Sequence, residues 1–160
     1  MRRTLCFLAI LAVALSIACS RQPQYHIGEW DAKVYFKGNM LGNKKVTIIF
    51  GEDNKNCVAM WEYLKSPNPG TIFEVPPGLY DIWDGEYKID YTKDPCQLDI
   101  KWIKNWKEIR IPTFHGIFRF VGEGKDVMQY VYCRIDEGPR PTNFDNTTYG
   151  MYILTKKVKK

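Results

Sequence analysis

The chain has 160 residues, 45 % of them hydrophobic and 14 % aromatic, with 23 basic against 18 acidic side chains for a net charge of +5. That length accommodates one domain around one core. Without Arg2 and Arg3 the balance is 21 basic against 18 acidic, a weak surplus spread along the chain, so no nucleic-acid partner is expected.

Residues 1–19 read MRRTLCFLAILAVALSIAC. Arg2 and Arg3 precede an apolar run from Leu5 to Leu15, and small residues follow at Ser16 and Ala18, the three regions of an export signal. The run is shorter than the ~20 residues a permanent membrane helix needs. We therefore expect a signal peptide over 1–18, a tether over 19–27 and a folded domain over 28–160, placed in the periplasm or the outer cell envelope. Cys19 follows Leu-Ser-Ile-Ala, which resembles the lipobox of a bacterial lipoprotein, with Ser16 where leucine is usual. Lipidation of Cys19, and membrane attachment through it, is the expectation; an ordinary secretory cut at the same bond is the other reading.

Beyond the leader, apolar residues recur at period two, the strand pattern. Trp30, Ala32, Val34 and Phe36 share one face; Val46, Ile48 and Phe50 share another. Cys57 to Leu64 suits either a strand or a turn or two of helix. Tyr87, Ile89 and Tyr91 alternate with polar residues, as do Leu98, Ile100 and Trp102. Met128, Tyr130, Tyr132 and Arg134 oppose Val127, Val131, Cys133 and Ile135, and a last strand is expected over Tyr149–Val158. Turn signals punctuate these runs at Gly38-Asn39, Gly42-Asn43, Gly51 to Asn54, Pro76-Pro77-Gly78, Asp84-Gly85, Lys93-Asp94-Pro95 and Gly122 to Asp126. The pattern predicts an all-β, up-and-down antiparallel barrel of about eight strands, whose interior is either filled by side chains or holds one small ligand.

Cys57, Cys96 and Cys133 remain in the domain, an odd number with no CxxC spacing, and His26 and His115 are far apart. Neither a metal nor another cofactor is expected. If 97–103, 117–121 and 127–135 are consecutive strands, Cys96 and Cys133 lie about 20 Å apart at ~3.3 Å per residue, beyond disulfide reach.

Three segments resemble an uncharacterised family, the small exported lipocalin-like domains especially numerous in planctomycetes. Gly85-Glu-Tyr87-Lys-Ile89-Asp90-Tyr-Thr-Lys-Asp-Pro95-Cys-Gln-Leu98-Asp99-Ile100 is similar to the family's G-x-Y-x-(I/L)-D-x-T-K-x-P-x-x-(I/L)-D-(I/L) hairpin. Gly116-Ile117-Phe118-Arg-Phe120-Val-Gly122 is similar to its G-I-Y hairpin, and Arg140-Pro141-Thr142-Asn143-Phe144 to its R-P-T-x-F motif before the last strand. Gly28-Glu29-Trp30 resembles the G-x-W that opens the first lipocalin strand. The resemblance implies a tryptophan packed across the closed end beside a basic residue of the last strand, Lys156 or Lys157, and suggests a small hydrophobic ligand.

No nucleophile elbow, zinc-protease helix or phosphate-binding loop is present. Asp90 and Asp99 form a carboxylate pair across a hairpin, more simply explained as outward residues that bind lysines or turn amides. His115 lacks a nucleophile partner, and Asn146-Thr147-Thr148 is formally a glycosylation acceptor. Arg140 is a candidate clamp for an acidic headgroup through its bidentate fork, or else a structural residue that bonds loop carbonyls. Trp61, Trp83, Trp102 and Tyr130, with Tyr63, Tyr80 and Trp106, are candidate pocket aromatics or core packing. The expected function is non-enzymatic binding of a small hydrophobic or amphiphilic ligand, lipid-like and acidic if Arg140 points inward. The alternative is a filled envelope scaffold or protein-interaction barrel.

Overall fold

Period-two alternation closes into a barrel. A computed structural model describes residues 24–42, 44–64, 80–104, 113–145 and 147–158. Nine strands follow one another in it: β1 (Gly28–Phe36), β2 (Asn39–Met40), β3 (Lys44–Phe50), β4 (Asn56–Tyr63), β5 (Tyr80–Asp90), β6 (Cys96–Lys104), β7 (Phe114–Val121), β8 (Val127–Arg134) and β9 (Gly150–Lys156). The leader with Cys19, most of the tether, the Pro76-Pro77-Gly78 turn, Trp106, Asn146 and the last two lysines lie outside the described residues, as do the side chains of Tyr63 and Tyr80.

Every pairing is antiparallel, in the order β1-β3-β4-β5-β6-β7-β8-β9, and β9 returns to β1 from Trp30↔Lys156 to Phe36↔Gly150. Eight strands thus form a closed up-and-down barrel, consistent with a lipocalin-like one, and closure gives each of the eight a partner on both sides. β2 is the extra strand. It folds back on the end of β1, Tyr35↔Met40, over Lys37 and Gly38 at φ 48° and 79°, the left-handed pair that a two-residue hairpin requires. The ambiguous Cys57 segment is strand β4, because Cys57 and Ala59 pair with Phe50 and Ile48 and bury their side chains beside them.

One row of each strand faces inward. Trp30, Val46, Ile48, Phe50, Leu98, Ile100, Phe118, Met128, Tyr130 and Leu154 are essentially withdrawn from solvent and form a single core; each such side chain contributes roughly 1.5–3 kcal/mol of burial. Outward positions carry Lys33, Lys88, Lys101 and Arg119, so the wall meets water. Asp84-Gly85, expected as a turn, lies instead within β5, where the register against β6 shifts. Three inward positions, Gly85 among them, hold glycine because a neighbouring ring occupies the space. A Cβ at Gly85 would stand 2.7 Å from the Trp102 ring, and one at Gly116 or Gly150 would enter the ring of Tyr130 or Tyr132. Phe36 belongs to the inward row of β1 but is 52 % exposed, since β1 has by then passed the rim.

One end is closed by residues read from the sequence as the end of a tether. His26 is buried: Tyr87 Oη donates to Gly51 O at 3.0 Å, so the Nε2–H of His26 donates to Tyr87 Oη at 3.1 Å, and Nδ1 accepts from Tyr91 Oη at 2.6 Å. The Trp30 indole donates to the His26 carbonyl at 2.7 Å. Burial away from water is the main cause that lowers the His26 pKa to about 4, which keeps the ring neutral. Of the two lysines expected beside Trp30, Lys156 takes the place: its ammonium lies 5.3 Å from the ring centre and donates to Tyr25 O. Lys157 instead pairs with Glu29 and Asp31 on the outer wall.

Candidate binding site at the open end

The opposite end of the barrel is where β1, β4, β6 and β8 finish and β3, β5, β7 and β9 begin. Its inward side chains are large rings, one from each of six strands. Trp102 on β6 meets Trp83 on β5 at 5.8 Å between ring centres, and Trp83 meets Trp61 on β4 at 5.7 Å. Trp61 then meets Tyr152 on β9 at 6.4 Å, Tyr152 stacks on Tyr132 of β8 at 4.9 Å, and Tyr132 meets Phe114 of β7 at 5.0 Å. The contact between Trp61 and Tyr152 crosses the interior, because β3 and β1 lie between their strands, where the register partners of the two rings are the smaller Val46 and Val34. The rings therefore make a floor across the barrel, not the wall of a deep shaft.

Beneath that floor the interior is filled. Tyr130 is 1 % exposed, lies under Tyr132 and Tyr152 with stacked rings, and donates to Leu98 O at 3.3 Å. Above it, Trp61 and Trp83 are only partly buried. A recess of about 500 Å³ opens between the ends of β1, β7, β8 and β9, lined by Phe36, Phe114, Tyr132 and Tyr149 with Lys37, Arg134 and Glu137 at its rim. Arg134 is already paired with Asp136 at 2.7 Å and Glu137 at 3.1 Å.

Two charged residues at this end were missed in the sequence reading. Lys44 shares the inward row of Val46 and Ile48, and its ammonium stands 5.3 Å from the Trp61 ring centre. Asp81 is the register partner of Trp61. Burial lowers the Lys44 pKa, and the Asp81 carboxylate acts against that shift. The signal was parity: both residues fall on the apolar rows of their strands, where a charged residue stands out.

The candidate site residues separate accordingly. Trp61, Trp83 and Trp102 come together in the floor, and Tyr130 packs directly below it. Arg140 stands elsewhere. It donates to Gly116 O at 2.7 Å and to Asp99 Oδ2 at 2.9 Å, and its other nitrogen contacts Asp99 Oδ1 at 2.6 Å. Asp99 is an outward residue between Leu98 and Ile100, so Arg140 fastens the 135–149 segment to the outer wall and cannot clamp a headgroup inside the barrel. That segment covers Ile117, Val131 and Met151 with Phe144 and Tyr149, its own Pro141 is buried, and His115 Nε2 donates to Gly138 O. Asp90 caps its own turn through Thr92.

Cys57, Cys96 and Cys133 are free thiols. Among the described residues no group of three or more His, Cys, Asp or Glu side chains is placed to hold a metal ion, and no helix is long and apolar enough to cross a membrane. No protein-family model, curated protein or solved structure matches the chain.

Proposed function

We propose that this is a non-enzymatic, exported, lipocalin-like barrel that binds a small apolar or amphiphilic molecule at its open end. The observation that carries the reading is the aromatic floor, with Trp61 and Trp83 only partly covered and a separate recess at the same end lined by Phe36, Phe114 and Tyr132. Ring faces take apolar surface out of water, and a few polar groups at the mouth set orientation. The filled lower half restricts such a ligand to the mouth, which favours a compact molecule over a long chain threaded through the barrel. Signal-peptide cleavage before Cys19 with lipidation of that residue would place the barrel at a membrane surface, its His26-closed end toward the tether.

A second reading has its own support. Ile82 and Ile103, outward on β5 and β6, are 53 % and 58 % exposed, as a filled scaffold with a protein-binding outer wall would have them. Tryptophan emission separates the two. On the binding reading, a small apolar probe such as 1-aminoanthracene quenches tryptophan emission saturably, and Trp61→Leu weakens that response. A protein that no apolar probe quenches, while Ile82→Ser and Ile103→Ser abolish capture of a partner, is the scaffold.

A further inference from the structure

The indole nitrogens of Trp61 and Trp83 are shielded from solvent, and among the described residues neither has a hydrogen-bond acceptor. Buried donors are nearly always satisfied, and an unmet one carries the full cost of its desolvation. An indole N–H only donates, so whatever completes this pair must bring an acceptor oxygen. The ring centres are 5.7 Å apart, so one small polar headgroup lying between them can touch both rings. Among the described residues the charges set around Trp61 balance: Lys44 leans over its ring from β3, and Asp81 lies opposite it on β5 and acts on Lys44. A ligand carboxylate brought to the indoles would meet Asp81, and a ligand ammonium would meet Lys44. Arg140, the candidate clamp for an acid, is bound to Asp99 on the outer wall.

We infer that the mouth selects a neutral apolar molecule carrying an acceptor oxygen, an ester, ketone or ether, held by the indole N–H groups of Trp61 and Trp83. This rests on the reading that the open end binds a small apolar ligand, and it names the headgroup class. The polar atoms sit at the floor and the apolar body fills the mouth toward Phe114 and Tyr132.

The test is a headgroup series on one chain length, methyl octanoate, octanoate and octylammonium, titrated calorimetrically into the mature protein. The ester is expected to bind tightest. Trp61→Phe with Trp83→Phe keeps both ring faces and removes both donors, and should weaken the ester about tenfold while affecting octylammonium little. Octanoate or octylammonium binding as tightly as the ester, or an ester affinity unchanged in the double variant, overturns the headgroup assignment and leaves the mouth as a ligand site. If none of the three binds, the binding reading falls and this assignment falls with it. The comparison of headgroups on the unaltered protein does not depend on the variant folding.

Discussion

Trp61 and Tyr152 touch across the barrel, 6.4 Å between ring centres, although two strands lie between theirs on the nearer side of the wall. Small residues on those strands, Val46 and Val34, permit the contact. Enlarging one of them should therefore push the rings apart. Val46→Phe is expected to destabilise the fold by about 1–3 kcal/mol, the usual cost of overpacking a filled core, and to shift tryptophan emission to longer wavelength. Urea unfolding and the emission maximum check this; an unchanged spectrum and midpoint would mean the floor is not packed across the interior.

Tyr130 owes its place to the absence of a side chain at Gly116. Gly116→Ala puts a methyl group into the Tyr130 ring and against the Val131 carbonyl, where backbone has little room to give. The expected loss is about 1–3 kcal/mol, read from the urea midpoint. Gly124, at an exposed turn, serves as the control, and Gly124→Ala should cost far less.

The His26 plug makes stability depend on pH. Its folded pKa, about 4, lies below the ordinary 6.5 because burial disfavours the charged ring, so between those values the unfolded chain holds the extra proton. Stability from this residue is complete above pH 6.5 and falls as pH drops toward 4, by about 3 kcal/mol in total. His26→Gln, which still offers a donor and an acceptor, should remove that portion of the pH dependence. Parallel unfolding profiles for the two proteins from pH 7 to 4 would show that His26 is not held neutral.

Arg140→Ala distinguishes a strap from a ligand clamp. Loss of its bonds to Asp99 and Gly116 should cost about 1 kcal/mol, allowing for partial exposure, and should speed hydrogen exchange across 135–145. Affinity for an apolar ligand at the mouth should not change, and a tenfold loss would place Arg140 in the site after all.

The thiols should differ in reactivity. Burial raises the Cys57 pKa to about 12, and its side chain is closed off inside the barrel, whereas Cys96 and Cys133 are partly open. Iodoacetamide at pH 8 should modify Cys96 and Cys133 in the folded protein and reach Cys57 only on unfolding; mass mapping of the peptides decides.

Strand faces were legible because the barrel interior imposes period two on nearly every strand, from Trp30, Ala32 and Val34 to Met128, Tyr130 and Tyr132. The aromatic members of the mouth were legible for the same reason. What escaped was set by contacts between distant parts of the chain. His26 has no periodic neighbour, and its burial depends on Tyr87 and Tyr91 arriving from β5. Arg140 looked available because nothing local to it announces Asp99, 41 residues away in sequence. Lys44 and Asp81 were on the right rows, but a charge on an apolar row gains meaning only once β3 and β5 pair on either side of β4 and set the two around Trp61.

Native mass spectrometry of the mature protein, released gently from its own envelope, tests the central claim most directly. Binding at the mouth predicts a discrete adduct whose mass corresponds to a small neutral molecule and which Trp61→Leu loses. A bare polypeptide mass, unchanged after incubation with a total lipid extract, would contradict it and leave the barrel a filled scaffold.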